Sequence, residues 1–339
     1  MRAAVVEAMG RPPAAAEVPE PRRQAGEALV RIRAAALNPV ELHIWNGHFF
    51  DGPPRPPYVI GLEGIGVVEE GERLAPGTRV RVEFVHPGYG RDGALAEYAV
   101  APETPDAADR ASQASAAPIG DELADADAAA LGVPVFTAMM CLERAVAAGA
   151  SLDGAHVLVI GATGAVGTIA VQLAKLMGAA RVVAAGRDAE RLERARALGA
   201  DASVELAAGL VPAELRALFG EAAAGRLDIA LDPLWGEPAR AAIEALTRDG
   251  VYVSFGQAAS PAAELSGIPM RNRRVTLVGH SGAWASPDQR QDALARAHAL
   301  AAERGSRLVL DTEELPLEEI GSGWERLARS AGRRLVVRP

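Results

Sequence analysis

The sequence predicts an α/β protein that contains a doubly wound parallel sheet and, before it, a small β-barrel-like domain. Three observations predict this fold. The apolar, β-branched run Val157–Ile160 ends in a turn with regularly spaced glycines and then opens onto a helical pattern. Strand-like and helical patterns alternate after it as far as Val278. Residues 1 to 100 instead carry short strand patterns rich in Val, Gly and Pro.

The glycine turn predicts a dinucleotide site. It consists of Gly161, Ala162, Thr163, Gly164, Ala165, Val166 and Gly167. Glycines at this spacing allow a tight turn, a close approach of the backbone to a pyrophosphate and close packing of the helix on the strand. Amides at the helix start, together with the helix dipole, then favour phosphate. A turn that serves packing alone is the alternative.

Further apolar runs complete a predicted parallel sheet of six strands. They are Arg181–Gly186, Ser203–Leu206, Leu227–Asp232, Val251–Phe255 and Val275–Val278. Helical patterns rich in Ala, Leu, Glu and Arg separate most of them, at Ala189–Leu198, Pro212–Phe219 and Pro238–Leu246. This alternation is typical of two mononucleotide-binding halves.

The end of the second strand indicates which nucleotide binds. An Asp or Glu there would accept hydrogen bonds from the ribose hydroxyls and repel a 2′-phosphate. This chain has Gly186 and then Arg187, with Arg191 one helical turn later. Guanidinium groups make paired, charge-assisted hydrogen bonds to phosphate. Arginine is abundant in the chain, so the missing carboxylate carries more weight, and together they predict NADPH rather than NADH.

Composition narrows the class of protein. With 339 residues the chain is long enough for two domains. A net charge of −9 and the lack of a dense basic run argue against nucleic acid as a partner. The chain contains no run of 18 apolar residues, so we expect no membrane span. The N-terminus lacks a signal-peptide pattern, and we therefore expect a cytoplasmic protein. The single cysteine, Cys141, excludes an internal disulfide and a cysteine-rich zinc site.

The remaining segments are assigned from their patterns. Strands of the first domain are predicted at Ala28–Ala35, Gly66–Glu69, Arg79–Phe84 and Leu95–Ala99. Ala101–Ala117 has low complexity and no apolar periodicity, which predicts a loop. Helices are predicted over Asp125–Ala130, Phe136–Ala148 and Pro287–Arg304, and a last strand over Arg334–Arg338. We expect the segment after Val278 to return to the first domain.

Several motifs along the chain carry a family resemblance. They are Asn38–Glu41, Gly61–Val68, Gly77–Val80, Gly93–Tyr98, Ala129–Thr137 and Ala162–Gly167. In this order they resemble the medium-chain dehydrogenase/reductases, and most of all the zinc-independent quinone oxidoreductase-like branch. The resemblance implies a GroES-like catalytic domain over residues 1–126 and 283–339, and a Rossmann NADPH-binding domain over residues 127–282.

The zinc ligands of related enzymes are missing. Zinc-dependent members place Cys at the position of Asn38 and His at the position of Leu62. Catalytic zinc needs about three N, S or O side-chain ligands. We therefore expect no metal, with Cys141 as a buried, unreactive thiol. A site improvised from Glu41, His43 and Glu63 is the alternative.

Members without zinc transfer a hydride from NADPH to a carbon that conjugation makes electron-poor, in an enone, an enal or a quinone. The enolate-like charge that develops is stabilised by hydrogen-bond donors. Asn38 matches a family residue near the nicotinamide and ribose, which implies an orienting hydrogen bond. A simple turn residue ahead of Pro39 is the other interpretation.

The sequence offers more than one candidate proton donor. Related enoyl reductases often carry a Tyr after the glycine that matches Gly47, whereas this chain has His48 and then Phe49. His48 and His43 are candidate donors, because histidine suits acid chemistry near neutral pH. Ordinary loop residues and a proton from water are the alternatives.

The resemblance also implies positions that line the nicotinamide, largely through backbone groups. These are Thr137, Asp232, Phe255, Gly256, Val278 and His280. One departure is Leu206, where quinone reductases tend to place a Tyr against the adenosine phosphate.

Aromatic residues suggest a substrate pocket. Candidates for its lining are Trp45, Phe49, Phe50, Tyr58 and Trp284. Core packing is the alternative. The expected partner is a small-molecule substrate, and relatives imply a homodimer paired through the strand at Val275–Val278.

Three functions remain open. An NADPH-dependent enone or quinone reductase is the first. A biosynthetic reductase of an enoyl thioester, an iminium or another elaborate intermediate is the second. The third is a catalytically silent NADPH-binding protein.

Overall fold

The computed structural model describes residues 1–48, 52–104, 113–329 and 333–339. Within these ranges the strands are β1 (Arg2–Val6), β2 (Ala14–Glu17), β3 (Glu27–Ala36), β4 (Tyr58–Val59), β5 (Glu63–Glu70), β6 (Arg79–Glu83), β7 (Tyr98–Pro102), β8 (Ser115–Pro118), β9 (His156–Ile160), β10 (Arg181–Gly186), β11 (Ala202–Glu205), β12 (Ile229–Asp232), β13 (Val251–Ser254), β14 (Thr276–Gly279), β15 (Thr312–Pro316) and β16 (Arg334–Arg338). The helices are α1 (Pro39–Trp45), α2 (Asp125–Ala130), α3 (Val133–Ala147), α4 (Ala165–Leu176), α5 (Ala189–Ala197), α6 (Pro212–Ala222), α7 (Gly236–Ala245), α8 (Gly267–Arg273), α9 (Pro287–Glu303) and α10 (Ile320–Ala328).

The chain forms two compact units. The first comprises Met1–Val133, Ser286–Gln289 and Leu310–Pro339, and the second comprises Pro134–Ala285 and Arg290–Val309. The prediction of an α/β protein with a small β domain and a doubly wound sheet is confirmed.

The first unit is built on mainly antiparallel strands. Seven strands form one sheet, in which β15, β16, β3, β5, β6 and β8 lie in that order and β7 pairs with β3. A separate sheet has the order β2-β1-β4. Strand β3 buries Ala28, Val30 and Ile32 and exposes Arg31 and Arg33, the alternation expected of a sheet with one solvated face. The core of the first unit includes Val80, Phe84 and Trp324.

The second unit contains the doubly wound sheet. Its six strands are parallel in the order β11-β10-β9-β12-β13-β14. Strands β9, β10 and β12 are apolar and buried over nearly their whole length, because helices cover both faces of such sheets. The direction of winding reverses between β9 and β12, and dinucleotides bind at the carboxyl ends of the strands at this kind of position.

Two segments differ from the sequence predictions. Part of the predicted loop Ala101–Ala117 is strand, since β7 extends to Pro102 and β8 pairs with β6 from Ser115. Residues 290–309 lie in the second unit, although we expected them to return to the first. Two contacts attach this segment to the second unit: the Gln172 side chain donates to the Val309 carbonyl at 2.9 Å and accepts from the Val309 N–H at 3.0 Å, and Arg296 Nε lies 2.8 Å from Glu143 Oε1. Strand β16 does pair with β3 in the first unit.

One stretch in the described residues, Asp125–Ala147 with α2 and α3, is long and apolar enough to cross a membrane. However, 67% of its most apolar window is buried inside the protein, as in the core helix of a folded domain.

Candidate functional site

The glycine turn after β9 forms a tight cradle. Gly161 has a φ of +68°, and its carbonyl accepts from the Gly164 N–H at 2.9 Å. Gly164 then caps α4 in an extended conformation. A Cβ at Gly167 would lie 2.3 Å from the Gly161 carbonyl oxygen. Only glycine therefore lets α4 begin this close to the turn. Backbone amides at a helix start of this kind are the groups that bind a pyrophosphate in dinucleotide folds.

Gly186, at the end of β10, lies beside this cradle. A Cβ at this position would lie 2.6 Å from Thr163 Cγ2, so the Thr163 side chain occupies the space that a larger residue would need. Arg187 is exposed and forms no hydrogen bond or ion pair with any residue in the described part of the chain. The Asp188 carboxylate caps α5 by accepting from the Arg191 N–H at 3.1 Å, and Arg191 Nε lies 3.5 Å from it.

Asp232, the last residue of β12, has a fully buried carboxylate with internal partners. It accepts from the Leu234 N–H at 2.7 Å, from the Trp235 N–H at 3.0 Å, and from the Tyr252 hydroxyl. Burial raises the pKa of Asp232, while these three donors lower it. The Asp232 side chain thus stabilises the loop that follows β12. The predicted contact of Asp232 with the cofactor would therefore be made by its backbone groups.

Strand β14 and the loops after β13 and β14 carry four more of the predicted cofactor positions. These are Phe255, Gly256, Val278 and His280. A Cβ at Gly256 would lie 2.6 Å from the Pro233 carbonyl oxygen. The His280 N–H donates to the Ser254 carbonyl at 2.8 Å, and burial, aided by the positive charge of Arg144, lowers the pKa of His280 to about 4. The imidazole is therefore neutral at physiological pH. Thr137 is partly exposed on α3.

The first unit contains a buried ionic cluster, which we define as Asn38, Glu41, Glu63, Arg81 and Arg334. Arg334 Nη2 lies 2.8 Å from Glu63 Oε1, and Arg81 Nη1 lies 3.2 Å from Glu63 Oε2. The Val133 N–H also donates to Glu63 Oε2, at 2.9 Å. Burial raises the pKa of Glu63 and both guanidinium groups lower it. Such a cluster is stable only while every charge keeps its partners.

Asn38 belongs to this cluster rather than to an open surface. Its Oδ1 accepts from Arg334 Nη2 at 2.8 Å, and its Nδ2 donates to the Ala36 carbonyl at 3.1 Å and to Glu63 Oε1 at 3.3 Å. Both ends of the amide are thus used inside the protein. The orienting contact to the cofactor stays a prediction, and the structure gives Asn38 the role of holding Glu63 and Arg334.

Glu41 is a buried carboxylic acid with a raised pKa, a property that the sequence did not suggest. Its Oε2 accepts from the Asn38 N–H at 2.6 Å, at the start of α1. Burial raises the pKa of Glu41 to about 8, although Asn38 and the charge of Arg334 lower it. The sequence suggested Glu41 only as a possible metal ligand.

The residues at the zinc-ligand positions of related enzymes do not fit zinc. Leu62 is apolar and buried, and Asn38 and Glu63 are bound to Arg334. Across the described ranges, no group of three or more His, Cys, Asp or Glu side chains is arranged to hold a metal ion. Cys141 is buried, and burial raises the pKa of its thiol.

Of the candidate proton donors, His43 lies in the last turn of α1 and His48 lies three residues after its end. His48 is exposed and its N–H donates to the His43 carbonyl at 2.9 Å. His43 is partly buried, and burial and the charge of His48 lower its pKa. Their role as acids stays a prediction.

The candidate pocket residues have different environments. Trp45 Nε1 donates to the Arg11 carbonyl at 2.7 Å, and the indole packs edge-on against Trp324 at 5.8 Å. Tyr58 is buried in the core of the first unit, and Trp284 is 64% exposed in the second. Phe49 and Phe50 lie outside the described residues. For Trp45 and Tyr58 these contacts favour core packing.

Comparisons with known proteins agree with this architecture. The family model for the alcohol dehydrogenase GroES-like domain matches residues 24–107, and the model for zinc-binding dehydrogenases matches residues 165–299. An alcohol dehydrogenase from Geobacillus stearothermophilus is 33% identical over 229 residues, which cover 59% of this chain and 62% of that protein. A chloroplast envelope quinone oxidoreductase homolog from Arabidopsis thaliana is 35% identical over 194 residues, 55% of this chain and 54% of that protein. The chain thus spans little more than half the length of these relatives.

A solved structure matches over the full length. The quinone oxidoreductase from Thermus thermophilus, which was also solved in complex with NADPH, is 30% identical with a TM-score of 0.77. The match covers 100% of this chain and 100% of that one. The chain therefore belongs to the medium-chain dehydrogenase/reductase superfamily, in its quinone oxidoreductase-like branch.

Proposed function

We propose that the protein is a zinc-independent, NADPH-dependent oxidoreductase that delivers a hydride to an electron-poor conjugated substrate, an enone, an enal or a quinone. The observation that carries this proposal is the glycine cradle at Gly161–Gly167 together with the exposed Arg187 after Gly186. A glycine turn that leads into a helix start, followed one strand later by an exposed guanidinium, suits a dinucleotide that carries a 2′-phosphate.

In this proposal, different residues bind different parts of the dinucleotide. The amides of the glycine turn hold the pyrophosphate, and Arg187 pairs with the 2′-phosphate. Backbone groups around Phe255, Gly256 and Val278 hold the nicotinamide, with the neutral imidazole of His280 beside them. When bound, NADPH supplies the hydride. These contacts position the reacting carbon, which is the main requirement when the acceptor is already activated by conjugation.

Negative charge develops on the substrate oxygen during the reaction and must be neutralised. Hydrogen-bond donors that point at this oxygen stabilise the charge. The proton that completes the reduction comes from His43, His48 or water. His43 is neutral near pH 7, since its pKa is lowered, so it would have to take up a proton before each transfer.

The engaged amide of Asn38 favours a second candidate. Because both ends of the amide are bound inside the buried ionic cluster, the protein would bind NADPH without an orienting contact from this residue. A catalytically silent NADPH-binding protein is the function that fits this case.

One experiment tests both candidates. NADPH oxidation is followed at its absorbance band against a panel of enones, enals, quinones, imines and enoyl thioesters, with NADH alongside, and NADPH binding is measured by calorimetry. Turnover of small enones or quinones with NADPH supports the first proposal. Tight binding without hydride loss across the panel favours the silent protein. Activity with NADH alone contradicts the assignment of Arg187.

We also propose that the protein pairs as a homodimer through β14. This strand is at the edge of the parallel sheet, and Leu277 and Val278 on it are only partly buried, as expected of an edge that another strand can extend. Light scattering coupled to gel filtration should give twice the mass of one chain, and Val278→Pro should halve it. A monomer at micromolar concentration contradicts this proposal.

A further inference from the structure

Glu41 is a buried acid whose charge no ion pair compensates. Its side chain is 2% exposed, and it forms no ion pair within the described ranges. The two buried guanidinium groups nearby, those of Arg81 and Arg334, are paired with Glu63 instead. An ionised carboxylate that is buried without a partner is costly, so such a group keeps its proton. Glu41 is therefore a neutral acid at pH 7, in agreement with its raised pKa.

Capping of α1 does not account for the burial of this acid. Glu41 Oε2 accepts from the Asn38 N–H at 2.6 Å. Glu214 makes the same contact at the start of α6, where its Oε2 accepts from the Val211 N–H at 3.0 Å, and yet Glu214 is exposed. A cap of this kind needs a carboxyl oxygen but no burial. The neutral state of Glu41 thus has a cause other than capping.

The second oxygen of Glu41 carries a proton that no described residue accepts. In a protonated carboxyl group one oxygen carries the hydrogen and the other accepts. Because Oε2 is occupied as an acceptor, the hydrogen belongs on Oε1, which has no hydrogen-bond partner among the described residues. The buried hydroxyl of Tyr58 also lacks a partner among them. Buried polar groups without partners are rare, and a catalytic role is one of the reasons for keeping them.

Tyr58 links Glu41 to a second tyrosine, Tyr89. Burial raises the pKa of Tyr58, and the negative charges that Glu41 and Tyr89 carry when ionised raise it further, so the Tyr58 hydroxyl lies near both groups. The Tyr58 ring also packs against the loop that contains Tyr89, since a Cβ at Gly88 would lie 2.8 Å from Tyr58 Cγ. The three acidic groups therefore follow one another in space.

Tyr89 reaches the segment that is predicted to line the substrate pocket. Its side chain is partly exposed, and its hydroxyl donates to the Gly52 carbonyl. Gly52 follows the candidate pocket residues Phe49 and Phe50 closely in the sequence. A hydroxyl hydrogen rotates about the C–O bond, so the same group can turn towards an oxygen of the substrate. Glu41, Tyr58 and Tyr89 thus run from a buried acid to a partly exposed donor.

We propose that Glu41, Tyr58 and Tyr89 form a proton relay, in which Tyr89 donates the proton to the enolate oxygen of the substrate. The proposal rests on the proposed function, since hydride addition to the β-carbon creates this enolate. The enolate oxygen takes the Tyr89 hydroxyl proton, Tyr89 takes that of Tyr58, and Tyr58 takes that of Glu41 Oε1. Water returns a proton to the Glu41 carboxylate before the next turnover, and the released enol becomes the saturated carbonyl compound.

The relay makes turnover depend on pH in one direction. Besides burial, the groups that act on Glu41 are Arg334 on β16, which lowers its pKa, and Glu63 on β5, which raises it, while Tyr58 on β4 is neutral. The pKa of Glu41 is about 8. Because only the protonated acid can supply the relay, kcat should fall as the pH rises through about 8.

Steady-state kinetics of the full chain with NADPH and but-3-en-2-one test the relay. Glu41→Gln keeps the shape of the neutral acid and the acceptor for the Asn38 N–H, but it has no proton to pass on. Its kcat should therefore fall at least about tenfold and lose the dependence on pH near 8, whereas a purely structural acid predicts no fall. Tyr58→Phe and Tyr89→Phe should lower kcat by a similar factor. The dissociation constant of NADPH, measured by calorimetry, should not change in any of the three variants.

The matched control is Glu214→Gln, which makes the same change at the exposed cap of α6 and should leave kcat and its pH profile unchanged. If the Glu41→Gln and Tyr89→Phe variants, shown by circular dichroism to be folded, keep the kcat and the pH profile of the wild type, the relay is overturned and Glu41 is a structural acid. If the wild type oxidises NADPH with no enone, enal or quinone, the proposed function itself fails, and the relay fails with it.

Discussion

Glu63 and Arg334 form a buried ion pair, with Oε1 and Nη2 2.8 Å apart, although they are separated by 271 residues in the sequence. Their side chains are 0% and 4% exposed. The pair joins the last strand of the chain to a position beside the zinc-ligand motif of related enzymes. It therefore fixes the terminal strand to the centre of the first unit.

Breaking this pair from one side should be costly. Arg334→Met leaves the Glu63 carboxylate with one guanidinium instead of two, and we expect a loss of about 3–5 kcal/mol in the free energy of unfolding. Urea denaturation measures it. As a control, Arg329→Met removes the exposed pair with Glu325, and should cost less than about 0.5 kcal/mol. Equal effects of the two substitutions would contradict a stabilising role for the buried cluster.

The acid at Glu41 should make stability depend on pH. Because the pKa of Glu41 is about 8 in the folded protein and 4.5 in its ordinary state, the folded form retains the proton longer than the unfolded form. This contribution is complete below pH 4.5 and is lost as the pH rises through about 8. Glu41→Gln mimics the protonated acid while keeping an acceptor for the Asn38 N–H.

The stability of the Glu41→Gln variant relative to the wild type should therefore increase between pH 5 and pH 8, by more than about 1 kcal/mol. Urea denaturation across this range gives the difference. Glu63 and Arg334 also act on this carboxyl group, but they are present in both proteins. A difference that does not change with pH would mean that Glu41 is ionised in the folded state.

The glycine cradle offers a matched pair of substitutions. Gly167→Ala places a Cβ 2.3 Å from the Gly161 carbonyl oxygen, whereas the nearest atom to a Cβ at Gly164 is 3.4 Å away. We expect Gly167→Ala to displace α4 and to abolish NADPH binding, and Gly164→Ala to preserve the fold. Circular dichroism and calorimetric titration distinguish the variants. Wild-type affinity in Gly167→Ala would refute the phosphate cradle.

Cofactor preference should depend on Arg187. Because this guanidinium is exposed and forms no pair within the described part of the chain, Arg187→Ala should weaken NADPH binding by about tenfold or more, from the loss of a charge-assisted contact. NADH binding should not change. Arg196→Ala, which removes an arginine paired with Glu193 on α5, is the control. A similar loss for both cofactors in Arg187→Ala would argue against a 2′-phosphate contact.

The strands and helices that could be predicted are those whose own sequence carries the pattern. Runs such as Arg181–Gly186 and Ala189–Leu198 contain their own periodicity, and the structure has a strand and a helix there. Strand β8 was missed because its residues, Ser115–Pro118, have low β propensity and form a strand only through pairing with β6.

The site was predictable where its signal is local. The glycine turn and Gly186–Arg187 are motifs of neighbouring residues. The pairing of Glu63 with Arg334 has no local signal, because it depends on how the terminal strand joins the sheet. The φ of +60° at Trp235 was also hidden, since nothing in the sequence shows that tertiary contacts impose a positive φ on a tryptophan.

The close fit of Thr163 against Gly186 makes these two positions epistatic. An acidic residue at 186 would place its Cβ 2.6 Å from Thr163 Cγ2, so the Thr163 side chain would have to move to admit it. If the protein prefers NADPH as proposed, a smaller residue at 163 should make an acidic residue at 186 easier to accommodate. Position 163, two residues into the turn, is therefore expected to influence which substitutions at 186 the protein tolerates.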